Sequence, residues 1–297
     1  MYGERLWMMS TVWSSKIQGI DTLYLSRKLR FDDRFKYDYM KHFDLPQSDI
    51  KVLEIGCGPG ALSESLKRWY PNAEIIGVDR DESFIQFAKN NINNVNFIIG
   101  DISKLPFDDE SFDVVISNTV CEHVETSVFF NEQRRILKPE GVCICLTNVT
   151  NIRRLAKCIE NDVFENNFWA KLEADRNELA SYNIAKYKLN EAELPKKMVE
   201  YQFKNVSSDY VTQQFTPDHP ESNRAWAITI IESELKTKVE ILNRVRNQNK
   251  DNLFFEQVDK MIQRVNQKYA ERMRLYDFGE KQWDTNIITT HILRGMK

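Results

Sequence analysis

Between residues 51 and 147 the chain alternates short apolar runs with stretches whose apolar positions recur at helical spacing. Val52–Ile55, Glu74–Val78, Val95–Ile99, Phe112–Ile116 and Val142–Leu146 have the length of strands. Helical patterns fill 61–69, 82–91 and 125–137, with Pro71 and the turn Lys138-Pro139-Glu140-Gly141 as stops. Near-continuous apolar strands leave no polar face for water, so both faces of their sheet must be covered. Strands that each lead into a helix build a parallel sheet of that kind. The pattern predicts a doubly wound, mostly parallel α/β fold.

Beyond residue 150 the pattern turns helical. Ile152, Leu155 and Ile159 keep helical spacing, and the aromatic residues Phe164, Phe168 and Trp169 follow. Glu191–Tyr201 predicts a short helix, and the alternation in Val206–Phe215 a strand. Two longer amphipathic helices carry Ile228, Ile231, Leu235, Val239 and Leu242, then Phe254, Val258, Met261, Val265 and Tyr269. A final strand rich in Ile and Thr runs from Trp283 to Leu293. These stripes are assigned to core and helix pairing, with no chemistry.

Composition narrows the function classes. A chain of 297 residues fits one large or two modest domains, and its 42% apolar share suffices for a packed core. Lys and Arg number 41 against 44 Asp and Glu, a net charge of −3. A protein held by phosphate neutralisation shows a basic excess, so no nucleic-acid partner is expected. No stretch approaches the roughly 18 apolar residues of a membrane span. Met1–Trp13 carries Glu4 and Arg5 within it, unlike a secretory signal. The five cysteines form no C-x-x-C pair, and the four histidines lie far apart without metal-ligand spacing. The expectation is a reduced, cytoplasmic protein with no membrane association and no metal.

The most informative segment is Val52-Leu53-Glu54-Ile55-Gly56-Cys57-Gly58-Pro59-Gly60-Ala61-Leu62, a strand running through three alternate glycines into a helix. Such glycines let the backbone approach a ligand, and the helix start aims free N–H groups at it. Without a ligand the same segment is simply a tight turn. The acids decide between these readings. Asp79 ends the second strand 19 residues after Gly60, where a carboxylate can accept both hydroxyls of a ribose. Asp101 follows the third strand, at the next crevice-facing end, and can accept from an exocyclic amine such as adenine N6. The ligand read from this spacing is an adenosine.

Two adenosine cofactors compete. Gly56, Gly58 and Ala61 formally satisfy the dinucleotide pattern G-x-G-x-x-G/A. Glu54, immediately before the loop, would place a negative charge against a pyrophosphate. A cofactor with a free amino group and a sulfonium tolerates that carboxylate, and Asp101 lies outside the dinucleotide pattern. The reading favours S-adenosylmethionine.

Residues 51–148 resemble the class I S-adenosylmethionine-dependent methyltransferases, in the branch of small-molecule methyltransferases. The likeness rests on Leu53–Gly60, Gly77-Val78-Asp79, Gly100–Phe107, Phe112–Asn118, Glu122-His123-Val124 and Leu137–Gly141. Leu189–Val206 and Trp283–Lys297 resemble the family's sixth strand with its helix and its antiparallel final strand. The resemblance implies a seven-stranded sheet. An N-terminal helical lid would span 1–48 and a cofactor-binding core 49–148. The rest of the sheet would fall in 149–297, with helical insertions at 149–188 and 218–280 rather than a separate domain.

Carried over residue by residue, the resemblance implies that Gly56, Cys57, Gly58 and Gly60 wrap the methionine part of the cofactor, with Glu54 near its amino group. Asp79 would hold the ribose and Arg80 lie along the adenine. Asp101 would meet adenine N6, and the Ile102 N–H a ring nitrogen. Ser117 and Asn118 would contribute backbone contacts to the amino-acid end. Arg30 would bind the cofactor carboxylate from the lid, with Arg27 and Arg34 as rivals.

Methyl transfer from a sulfonium needs mainly alignment and exclusion of water, and a general base only where the acceptor holds its proton tightly. Glu122 and His123, just after the fourth strand, are candidates for that base, with packing and capping as the alternative for His123. The spacing of the cysteines does not suggest a thiol triad for arsenic methylation. No Asn-Pro-Pro-Tyr or Asp-Pro-Pro-Tyr motif points to base methylation. The aromatic residues Phe164, Phe168, Trp169, Tyr182 and Tyr187 would line a lid over a small organic acceptor, or else pack helices or a homodimer surface. A protein or RNA methyltransferase and a non-catalytic cofactor-binding module are the alternatives.

Overall fold

The computed structural model describes residues 13–174, 184–248 and 252–297. Helices α1 (Ile20–Arg30) and α2 (Lys36–Phe43) lead into β1 (Lys51–Ile55). There follow α3 (Ala61–Trp69), β2 (Glu74–Asp79), α4 (Glu82–Asn91), β3 (Asn96–Ile99), β4 (Phe112–Asn118), α5 (Thr126–Ile136) and β5 (Leu137–Arg154). The later elements are α6 (Val163–Ala174), α7 (Glu193–Glu200), β6 (Lys204–Phe215), α8 (Arg224–Gln248), α9 (Asn252–Asp277) and β7 (Thr285–Met296).

The seven strands form one sheet in the order β3-β2-β1-β4-β5-β7-β6. Its first five strands are parallel, and the C-terminal strands are antiparallel. The expected fold class is therefore the observed one. Strand order reverses between β1 and β4, so the crevice beyond their C-terminal ends is the natural ligand position. The register sets Ile55 beside Val78 and Ser117, and Asp79 beside Ile99.

Successive strand residues serve opposite faces, as the pleat requires. Val52, Ile75, Val114 and Ile116 join one core with Phe31, Tyr39, Phe43 and Trp69. Leu53, Ile76, Val115 and Cys143 join the other with Phe129, Phe130 and Met198. Tyr39 stacks on Trp69 at 5.7 Å between ring centroids. Phe31, Tyr39 and Phe43, from the segment expected as a lid, are fully buried in the first of these cores.

Two expectations on element bounds differ from the structure. Ile152 lies on β5, which runs on to Arg154, and Ile159 closes a short 3-10 turn at Lys157–Ile159. Three apolar residues at helical spacing fit a strand end plus a turn equally well. β5 also begins earlier than Val142: Leu137 pairs with Phe112, and the register shifts before Val114 meets Val142. The Lys138–Gly141 turn is absorbed there as an irregularity within the strand.

The described residues divide into two compact units, one drawn from 13–150, 184–213 and 289–297, the other from 151–174, 214–248 and 252–288. The second unit has its own core, in which Phe168, Ile231 and Leu242 meet Phe254, Val258, Met261 and Tyr269. Among the described residues no helix is long and apolar enough to cross a membrane.

Candidate active site

The loop after β1 has Gly56, Gly58 and Gly60 in left-handed conformations, with φ of 66°, 54° and 89°. A Cβ on Gly60 would fall 2.7 Å from Ile92 Cδ1 and 2.8 Å from Phe97 Cζ, so this glycine lets α3 start hard against the α4–β3 layer. A Cβ on Gly58 would meet nothing nearer than Leu23 Cδ2 at 3.5 Å, and here the backbone faces open space. That space is a cavity of about 380 Å³ at the C-terminal ends of the strands, built entirely from the first unit.

Ten of the expected residues line it: Glu54, Gly56, Cys57, Gly58, Asp79, Arg80, Asp101, Ile102, Asn118 and His123. Asp79 ties the wall together. One carboxylate oxygen accepts the Gly58 N–H at 2.8 Å and the other the Asp81 N–H at 2.8 Å. Burial outweighs these bonds and pushes its pKa up to about 6. Each oxygen keeps a second lone pair for a ligand hydroxyl. Asp101 accepts the Ser103 N–H at 2.8 Å.

Glu54 is 2% exposed, and the Ser63 hydroxyl donates to it. Burial pushes its pKa up to about 8, with the charge of Asp79 adding to the shift against the Ser63 bonds. Asn118 is buried, and among the described residues its Oδ1 has no partner. An unpaired buried acceptor is costly, so it marks a place for a donor. Together these groups make a wall rich in hydrogen-bond acceptors, on which Glu54 holds its proton near neutral pH unless a positive charge is brought beside it. It suits a ligand bearing hydroxyls, amines and positive charge, whereas a pyrophosphate would meet Glu54 and Asp79.

Four expected residues lie outside the lining. Gly60 is occupied in packing, and Ser117 is buried beneath the wall with its hydroxyl on the Cys145 thiol. Arg30 is buried and turned away, donating to Asn148 Oδ1 at 2.8 Å while its carbonyl accepts from Gln213. Its neighbour one turn earlier, Arg27, takes the place on the cavity wall and donates to Thr119 Oγ1 at 3.4 Å. Burial and the charge of Arg30 push the Arg27 pKa down to about 9. Among the described residues neither guanidinium has a carboxylate within ion-pair distance.

Glu122 also stays off the lining, with Oε1 3.6 Å from His123 Nε2. Burial raises its pKa against the pull of Lys188, Arg27 and Arg30. His123 Nδ1 accepts the Ala185 N–H at 3.0 Å, and burial, then Arg80, pushes the imidazole pKa down to about 4.

The expected aromatic lid is divided. Phe168 stacks on Phe254 at 6.1 Å within the core of the second unit, with Trp169 packed against that core. Phe164 sits under Lys260 and Arg264 in the same unit. Tyr182 lies outside the described residues. Tyr187 lines the cavity, with Trp13, Leu23 and Phe31, which sequence reasoning did not single out. Arg27, read from the sequence as a rival of Arg30, lies one helical turn before it. No signal in the sequence marks Trp13.

The methyltransferase-domain family matches residues 46–293 of this chain. Among curated proteins, an uncharacterized methyltransferase of Schizosaccharomyces pombe is 34% identical over 107 residues, covering 32% of this chain and 38% of that one. The fatty-acid O-methyltransferase of Mycolicibacterium smegmatis is 36% identical over 107 residues, covering 34% of this chain and 39% of that one. The demethylmenaquinone methyltransferase of Staphylococcus aureus is 34% identical over 101 residues, covering 32% and 42%. The matched stretches thus span about two fifths of these relatives' lengths. Among solved structures, phosphoethanolamine N-methyltransferase 2 of Haemonchus contortus, bound to phosphomonomethylethanolamine and S-adenosylhomocysteine, superposes with a TM-score of 0.52. At 14% identity over all of this chain and 61% of that one, it speaks for the fold alone.

Proposed function

This chain belongs to the class I S-adenosylmethionine-dependent methyltransferases, and we propose that it transfers the cofactor's methyl group to a small organic acceptor held in the cavity above Gly58. The observation that carries the reading is the half-buried Asp79, bonded to the glycine loop on one side and to the start of α4 on the other. It gives the crevice a fixed acceptor where an adenosine ribose belongs.

In this reading Gly56, Cys57 and Gly58 face the methionine part and Asp79 the ribose hydroxyls. Asp101 takes adenine N6, the Ile102 N–H takes a ring nitrogen, and Arg80 lies along the ring. Glu54 and the unpaired Asn118 Oδ1 suit the cofactor's ammonium. Arg27, not Arg30, suits its carboxylate, since Arg27 alone of the two reaches the wall. Gly60 and Ser117 act from behind, by holding the loop and the strand end in place.

When bound, S-adenosylmethionine supplies an electrophilic methyl on a good leaving group. The chain's task is then to hold an acceptor in line and exclude water. Trp13, Phe31, Val120, Val124 and Tyr187 offer an apolar wall for that purpose. His123 presents no free lone pair at Nδ1, which favours an acceptor atom that needs no strong base. The curated relatives named as acting on a fatty acid and on demethylmenaquinone support an acceptor of small-molecule class. The described cysteines are all unpaired thiols, which supports the reduced cytoplasm as the place of reaction.

The test is to incubate the protein with methyl-labelled cofactor and cell extract and to size the labelled product. Label in a low-mass compound is the expected result. Label in protein or RNA would overturn the choice of acceptor, and binding without any labelled product would overturn the reading as an enzyme.

A further inference from the structure

We propose that His123 is a positioning residue that pins two covering segments, residues 13–17 and 184–188, onto the cavity wall, and that it holds these segments rather than taking a proton from the acceptor. The inference goes beyond the methyltransferase reading and stands on contacts within the chain itself.

Neutral imidazole has one ring nitrogen that accepts and one that donates. Here Nδ1 accepts the Ala185 N–H at 3.0 Å, so the ring proton sits on Nε2, the nitrogen 3.6 Å from Glu122 Oε1. The lone pair a base would use is already engaged. The next residue back repeats the attachment through the main chain: the Glu122 carbonyl accepts the Tyr187 N–H at 3.0 Å. Two consecutive residues of the β4–α5 connection therefore grip two alternate residues of one turn.

That turn does not form on local preference alone. Ala185 has φ of 54°, the left-handed region that a residue with a Cβ avoids unless its surroundings dictate it. The bond from its N–H to His123 supports this conformation, together with the Lys188 N–H on its carbonyl at 3.3 Å. Trp13 meets the His123 ring edge-on at 4.8 Å between centroids, and the following Ser14 N–H donates to Asp81 Oδ2 at 3.0 Å. Trp13, His123 and Tyr187 all line the cavity. Two segments distant in sequence thus meet at one side chain, at the edge of the space where methyl transfer would occur. Burial and the charge of Arg80 keep the ring neutral, which preserves Nδ1 as an acceptor.

The experiment is amide hydrogen exchange on the full chain, without ligand and with S-adenosylhomocysteine, for the wild type, His123→Leu and His123→Asn. Leu fills the space without an acceptor, whereas the Asn carbonyl can take the place of Nδ1. Exchange within 184–188 should rise about three- to tenfold in His123→Leu, the weight of one hydrogen bond, and return close to wild type in His123→Asn. The dissociation rate of S-adenosylhomocysteine should rise in parallel, while β1 and β4 stay protected in both variants. Unchanged exchange in His123→Leu would overturn the proposal, as would His123→Asn exchanging as fast as His123→Leu. A His123→Asn protein with full protection but methyl transfer lowered a hundredfold or more would assign His123 to proton transfer instead. Exchange in the ligand-free protein is independent of any acceptor, so failure here is separate from failure of the methyltransferase reading.

Discussion

Glu54 is fully enclosed at the end of β1, facing Ser63 and close to Asp79. Its folded pKa of about 8 lies above the ordinary carboxylate value, so the native state binds its proton more tightly than the unfolded chain does. The resulting stability is fully present below about pH 4.5 and is lost as pH rises through 8. The ligand-free protein is therefore expected to lose melting temperature by several degrees between pH 5 and 8.5. Glu54→Gln, which cannot ionise, should flatten that slope, and parallel slopes in a thermal melting series would contradict the assignment. A bound cation should stabilise the protein most at the alkaline end, where Glu54 is charged.

At the level of elements, the strand–loop–helix unit around Gly60 is where chain conformation and cavity shape are set together. Gly60→Ala would place a methyl within 3 Å of Ile92 and Phe97 at a φ of 89°. It is expected to cost about 1–3 kcal/mol, read as a lowered urea midpoint at unchanged slope. The same unit shows why some elements were legible. α3 and α4 occupy the expected 61–69 and 82–91, because Gly60 and the Asp81 cap, whose side chain accepts the Ser83 N–H at 3.0 Å, write their starts into the sequence. The stretch at 152–159 has neither cap nor sustained period, and there the helical reading failed. Phe31, Tyr39 and Phe43 were legible as apolar, but not as the cover of a sheet whose strands begin only at Lys51.

At the scale of the whole molecule, the second unit depends on a buried charge cluster. Arg272, fully buried, donates to Asp284 at 2.6 Å and to Asp218 at 2.8 Å, and Asp218 also accepts the N–H groups of Gln282 and Trp283. Arg272→Met would leave both carboxylates enclosed without their cation. A loss of about 3–5 kcal/mol is expected, measured by denaturant unfolding and by faster exchange along α9. Nothing in the sequence marked this trio, whose members are 54 and 12 residues apart and meet only through the fold. The cavity divides along the same line. Glu54, Asp79, Asp101 and Asn118 were legible because each occurs at or just beyond the end of a strand whose period fixes its direction. Trp13, Leu23 and Phe31 reach the wall through tertiary packing, which no local pattern encodes.

The most direct test of the account is titration calorimetry of S-adenosylhomocysteine into the wild-type protein and Asp79→Ala, with a nicotinamide dinucleotide as the competing ligand. The wild type should bind one equivalent of the thioether. Asp79→Ala should bind it about tenfold or more weakly, from the loss of hydrogen bonds to a charged group. Uptake of the dinucleotide in its place, or equal affinity in the two proteins, would contradict the account.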